Sequence, residues 1–206
     1  MHEGPVGGGA GRVPRGSARQ RLIEAATHLF SEQGFQATSV QQIVDAAHVT
    51  KGALYHHWRS KDELIFDVYD ELLQLQTDHL EQIATGGGSS LARLRAAAED
   101  VVETSAEYEV EASAFVNAMH YLASEQARAV RARRRRYHER FCDLLQEAQS
   151  EGLLRGDVSA DVAVQGFLSA LTAVGTWRRP DGSLTFREIG HQMVELFMSS
   201  LLPREA

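Results

Sequence analysis

Apolar residues in this chain recur every three or four positions rather than every second one. Leu22, Ala26, Leu29 and Phe30 form the first such stripe, a spacing that gathers side chains on one face of an α-helix. Ser17 with Gln20 supplies a cap and Gly34 a stop, so the pattern predicts a helix from Ala18 to Gln33. A shorter run follows, with Ser39 and Gln42 ahead of Ile43, Val44, Ala46 and Ala47. After a break at His48-Val49, Thr50 caps a helix from Lys51 to Trp58. Ser60 and Glu63 then open a long helix to about Thr85, with Leu64, Val68, Leu72, Leu75 and His79 on one side. Five further helices are predicted over Leu91–Ala106, Glu109–Ala123, Glu125–Glu151, Ala160–Trp177 and Phe186–Leu201. The fold class is therefore all-α, with about nine helices.

The two short helices carry the most specific pattern. A capped helix with a buried Ala46-Ala47 face, a tight turn and an exposed second helix form a helix-turn-helix. Lys51 donates, Gly52 lets another backbone come close, and Tyr55, His56 and Lys61 offer donors at the edge. Three regions follow: an arm over residues 1–16, a helix-turn-helix domain over 17–62, and an effector-binding and dimerisation domain over 63–206. The arm is Gly-rich and aperiodic, and Arg12 and Arg15 are either solvated or aimed at a minor groove. The Gly-rich segment at 86–89 follows no strand and lacks a GK[ST] ending, so it is read as a connector.

Charge sharpens this division. The net charge of −7 argues at first against a nucleic-acid partner, yet residues 1–61 hold seven Lys/Arg against four acids, a net of +3. The rest carries −10. A basic head on an acidic body suits a DNA-binding module joined to a sensing or assembly domain. The single cysteine, Cys142, has no partner for an internal disulfide, and no 18-residue apolar run appears, so a soluble cytoplasmic chain is expected without membrane contact.

The run from Thr38 to Leu64 resembles the DNA-binding unit of the TetR family of transcriptional regulators. Ile43, Ala46, Val49, Thr50, Gly52, Leu54, Tyr55, His57, Trp58, Lys61 and Leu64 fall on that family's spacing, while His48 stands where glycine is common. The resemblance implies a regulator that binds a double-stranded DNA operator and answers to a small hydrophobic effector. The expected DNA-facing set is Thr38, Ser39, Thr50, Lys51, Gly52, Tyr55, His56 and Lys61. Of these, Thr50 and Lys51 are placed to touch base edges, and Lys51, Tyr55, His56 and Lys61 to hold phosphates.

The last two helices carry a stripe of small residues, Ala163, Gly166, Ala170 and Ala173, and an apolar face of Ile189, Met193, Leu196 and Phe197. In the family resembled, these helices pair with their symmetry mates as a four-helix dimer bundle, so a homodimer is expected. Its two reading helices, about 34 Å apart, would enter successive major grooves. Between them lies Trp177-Arg178-Arg179-Pro180-Asp181-Gly182-Ser183-Leu184, similar to a run in TetR-type repressors of lipid and steroid breakdown that answer to acyl-CoA thioesters. A strong Pro-Asp-Gly turn is the alternative account. Asn117, His120, Tyr121, Thr172 and Trp177 are the expected effector-pocket residues. The six arginines between Arg131 and Arg140 read as a solvated face or an anion holder.

An enzyme and a protein-binding adaptor are the competing classes. There is no nucleophile elbow, no H-E-x-x-H and no dinucleotide loop, and His56-His57 point in different directions on a helix. No catalytic residue, cofactor or metal ligand set is expected.

Overall fold

The computed structural model describes residues 16–118, 124–179 and 181–203, without the side chains of 115–118 and 124. Among the described residues the chain forms nine helices: α1 (Ala18–Gln33), α2 (Val40–Ala46), α3 (Lys51–His57), α4 (Lys61–Thr85), α5 (Ser90–Glu107), α6 (Glu109–Ala118), α7 (Ser124–Ser150), α8 (Ala160–Trp177) and α9 (Phe186–Leu201). The expected end of the sixth helix, at Ala123, lies outside the described residues.

The helices begin where their caps place them. Ser17, Ser39, Thr50, Ser60, Ser89 and Thr185 each accept the backbone N–H three residues on. At Ser39 and Thr185 the side chains of Gln42 and Glu188 complete reciprocal capping boxes, each filling two of the four orphan donors at a helix start. The turn between α2 and α3 passes through His48 at φ 52, a left-handed conformation that histidine adopts more readily than most residues. Glycine is therefore dispensable there.

The first three helices enclose a small core. Leu22, Ala26, Phe30, Phe35, Ile43, Leu54 and Trp58 are buried, with the Phe30 and Phe35 rings 5.1 Å apart. The expected Ala-Ala face is half right: Ala47 is buried, but Ala46 is exposed, because a seven-residue helix turns only one edge inward. Helix α4 packs on α1 at one end and on α5, α6 and α7 further along. Its buried stripe is wider than expected, taking in Ile65, Tyr69, Leu73 and Leu80, while Leu75 and His79 are only half-buried.

In the body, α5 is the centre, packed against α4, α7 and α9. Its approach to α9 is set by Gly190, where an added Cβ would lie 2.4 Å from Val102 Cγ1. Gly190→Ala is expected to lose about 1–3 kcal/mol through overpacking, less a gain of up to about 1 kcal/mol in helix propensity. A thermal melt reads the net as a lower midpoint, with recovery in the Gly190→Ala, Val102→Ala double variant. An unchanged midpoint in the single variant would show that the two helices have room to part.

Candidate nucleic-acid interface and effector face

Helix α3 turns Leu54 inward with Trp58 just beyond it, and leaves Lys51, Gly52, Tyr55 and His56 on the outside. Tyr55 is 53% exposed, high for a large aromatic. Thr50 caps the helix by accepting the Ala53 N–H at 3.2 Å. A Cβ at Gly52 would meet nothing nearer than Thr50 Oγ1 at 3.7 Å, so nothing within the chain demands glycine there. Ser39 is exposed at the start of α2, and Arg59 is exposed just past α3. Arg59 counted in the charge balance but had no helical register to single it out.

Two expected DNA-facing residues are turned to other work. Thr38 is 1% exposed, and its hydroxyl donates to the Gly34 carbonyl at 2.9 Å and accepts from Gln33 Nε2 at 3.1 Å. The Lys61 ammonium donates to the carbonyls of Phe35 at 2.8 Å and Thr38 at 2.9 Å, and lies 4.5 Å from the Phe35 ring. The first turn of α4 folds back over the α1–α2 loop, which spacing along the chain cannot show. Arg19 and Arg21 are likewise engaged: Arg19 pairs with Glu71 and lies over the Trp58 ring, and Arg21 donates to the carbonyls of Ala47 and Gly16.

Among the described residues, two helices fasten the head to the body. Helix α4 is the first. Helix α6 is the second, packing on both α1 and α4. At the far end of this route, Arg178 after α8 pairs with Glu109 at the start of α6. Half of the arginine run of α7 clamps α4 and the other half is a solvated face. Arg133 pairs with Asp70 at 3.0 Å, Arg134 donates to the Tyr69 hydroxyl at 2.7 Å, and Arg140 pairs with Glu81 at 3.0 Å. Burial raises the Tyr69 pKa above its ordinary value while Arg134 pulls it down, so the phenol stays neutral near pH 7. Arg131, Arg135 and Arg136 remain exposed.

The outer surface of α8 and α9 is apolar. Val162, Trp177 and Leu196 are 66%, 54% and 71% exposed, aligned with exposed Gly166 and Ala170 and half-buried Ala163, Ala173 and Met193. Ile189 and Phe197 depart from the expected interface set: both are buried within their own chain, Phe197 stacking on Phe167 at 4.7 Å. Beside this surface a cavity of about 430 Å³ opens among Trp177, Arg178, Arg179, Leu184, Met193 and Leu196. Of the expected effector residues, the two whose side chains are described, Thr172 and Trp177, both lie on the outside of the bundle. Thr172 is exposed, its hydroxyl donating to the Leu168 carbonyl, and Trp177 lines the outer cavity. A helical stripe orders residues around an axis without saying which side faces solvent. Asn117 lies on α6 with its side chain outside the described set, and His120 and Tyr121 lie outside the described residues.

Residues 22–68 match the family described as bacterial regulatory proteins, tetR family, and residues 87–201 match the tetracyclin repressor-like C-terminal domain. The chain belongs to the TetR family of transcriptional regulators. It is 30% identical to the HTH-type transcriptional repressor KstR2 of Mycobacterium tuberculosis over 93% of this chain and 96% of that protein. The solved structure of that ketosteroid transcriptional regulator superposes with a TM-score of 0.81 at 25% identity, covering 94% of this chain and all of the other. The TetR family regulator PfmR of Thermus thermophilus superposes with a TM-score of 0.79 at 28% identity, covering 89% of this chain and 100% of that chain. The family consists of transcriptional regulators, not enzymes, and the geometry of this TetR-family head follows that reading. Among the described residues no helix is long and apolar enough to cross a membrane.

The Lys61 anchor carries a prediction about stability. Lys61→Met keeps the aliphatic stem but leaves the Phe35 and Thr38 carbonyls without their donor, at a cost of about 1–3 kcal/mol. Thermal unfolding should show a lower midpoint without DNA present; an unaltered midpoint would return Lys61 to the surface.

Proposed function

We propose that two copies of this chain pair through α8 and α9 and act as a repressor, released from a palindromic operator by a hydrophobic effector. The observation that carries this reading is the exposed face of α3, where Lys51, Tyr55 and His56 surround an open Gly52. Thr50 and Lys51 sit at the end of the helix that enters a major groove, in reach of base edges, while Ser39, Tyr55, His56 and Arg59 meet phosphates. Lys61 and Thr38 serve the interface indirectly, by fixing the loop before α2. The apolar outer face of α8 and α9 supports pairing, since isolated exposed apolar residues are ordinary but an aligned set with small residues between them suits a closely approaching helix.

Gly52 separates a DNA role from a folding role. Alanine there should leave the fold as stable or raise stability by about 0.5–1 kcal/mol, because helical glycine carries an entropic cost. The added methyl would meet the duplex backbone, so operator affinity should fall about tenfold or more while the melting midpoint holds. Unchanged affinity would place the duplex elsewhere.

For the effector we propose an acyl-CoA thioester. The Trp177-to-Leu184 run supports it, the similarity to a ketosteroid transcriptional regulator suits a lipid-like ligand, and the cavity offers Trp177, Leu184 and Met193 to an acyl chain and Arg179 to a phosphate. The signal then passes through the Arg178–Glu109 pair into α6, which touches both α1 and α4. Such a ligand shifts the equilibrium only by its differential affinity for the two head spacings, about 1–3 kcal/mol of coupling. A hydrophobic compound without coenzyme A is the alternative. Titrating acyl-CoA, free coenzyme A and free fatty acid against an operator complex distinguishes them. Release is expected with the thioester, and Arg178→Ala should blunt that response while operator affinity stays. Release by the free acid alone would favour the alternative.

A further inference from the structure

No metal ligand set was expected from the sequence, because the residues concerned lie on two helices well apart in the chain. The fold brings them together. Gln149 Nε2 donates to the carbonyls of Arg155 at 2.8 Å and Val158 at 2.9 Å, pinning the α7–α8 loop so that α8 starts alongside α7. Asp161, in the first turn of α8, then reaches His138, with Oδ1 at 2.8 Å from Nε2. Cys142, one helical turn after His138, places Sγ 3.4 Å from the same nitrogen. The three donor atoms all lie within 4.8 Å of one another.

We propose that His138 Nε2, Cys142 Sγ and an Asp161 carboxylate oxygen bind a divalent transition metal ion, Zn²⁺ by preference. Nitrogen, thiolate and carboxylate ligands are the zinc donor set, and their ordinary bond lengths set tetrahedral edges of roughly 3.4–3.6 Å. The nitrogen–sulfur separation already matches. The nitrogen–oxygen pair needs to open by roughly half an ångström and the sulfur–oxygen pair, within 4.8 Å, to close by about 1 Å, both by rotation of the 79% exposed Asp161 side chain. His138 Nδ1 is buried with no partner among the described residues, which leaves Nε2 as the ring nitrogen that meets the other donors. Cys142 is 7% exposed, with Phe141 and its neighbours Tyr137 and Phe167 lying alongside.

The same surroundings argue against a redox role for this cysteine. Burial and the charges of Asp161, Asp143 and Glu139 push its thiol up to about 11, and a protonated thiol is a poor nucleophile toward oxidants. A metal ion inverts that by displacing the thiol proton to solvent as the sulfur coordinates. Three protein ligands leave a fourth position, on the exposed side of Asp161, for water. Occupancy would fasten α7 to α8, two helices already packed against each other.

The test is a cobalt titration of the full chain, reading the near-ultraviolet thiolate-to-cobalt band and the visible bands of a tetrahedral ion. One equivalent per chain is expected, displaced by Zn²⁺. Cys142→Ser should abolish the thiolate band, and Asp161→Asn and His138→Gln should each weaken binding about tenfold or more. Because Asp161 is exposed, its variant keeps the fold, and Zn²⁺ should raise the melting midpoint of the parent chain but not of Asp161→Asn. A parent chain without a thiolate band would overturn the site. So would an affinity indifferent to both Asp161→Asn and His138→Gln, the signature of scattered surface histidines. Operator binding plays no part in these readouts.

Discussion

A half-buried cation holds the first three helices in register. The Lys61 ammonium occupies the mouth of the α1–α2 loop, bonded to two of its carbonyls and set against the Phe35 ring. Beside it, Trp58 donates from Nε1 to Asp67 at 2.8 Å, and Arg19 lies over the same indole while pairing with Glu71. Each contact joins a residue of the head to the first turns of α4 or to the loop that α4 covers. An exposed ion pair alone contributes little, but a lysine satisfied by backbone carbonyls and an indole with its N–H paired are costly to disturb. Any shift of α4 must therefore carry α1 and α3 with it, so the head moves as a rigid piece.

That rigidity turns attention to what grips the rest of α4. Helix α7 does so along its length, through Arg133, Arg134 and Arg140. Helix α6 presses on both α1 and α4, and its first residue is tied to the segment after α8 by Glu109 and Arg178. A ligand in the cavity beside Trp177 lies close to Arg178 and so to α6. The arginines of α7 meet α4 without passing through that cavity. Among the described residues the body thus has two separable holds on the head, one adjacent to the cavity beside Trp177 and one internal.

Much of this could be read from the chain before any coordinates. The helices start at capping residues because the capping bond is local, three residues long, and independent of tertiary context; Ser39–Gln42 and Thr185–Glu188 are the clearest cases. The helix-turn-helix was legible for the same reason. Roles that depend on distant partners were not. Lys61 and Thr38 sit on the spacing of DNA-facing residues, yet their donors turn to a loop more than twenty residues from Lys61 and to the end of α1. Periodicity also ranks residues around a helix without fixing its azimuth, so Ile189 and Phe197 fell into one apolar stripe with Leu196 although they face opposite surroundings. The close approach of Gly190 to Val102 leaves no local signal in the chain, since only the packing of α5 against α9 creates it.

The same limit explains why His138, Cys142 and Asp161 went unremarked. Two of them share a face by the helical i, i+4 rule, but histidine and cysteine at that spacing are common without consequence. What distinguishes this pair is the return of the chain, which Gln149 helps to fix together with the burial of Leu154 and Ala160. Gln149 donates both amide hydrogens to loop carbonyls, and without it the Arg155 and Val158 carbonyls would lose their side-chain donor on α7. A side chain with no chemistry of its own thereby helps three reactive ones to meet. The head follows the same logic, where Lys61 shapes a surface it does not itself present. In both places the residues that would touch a ligand are set by others that do not.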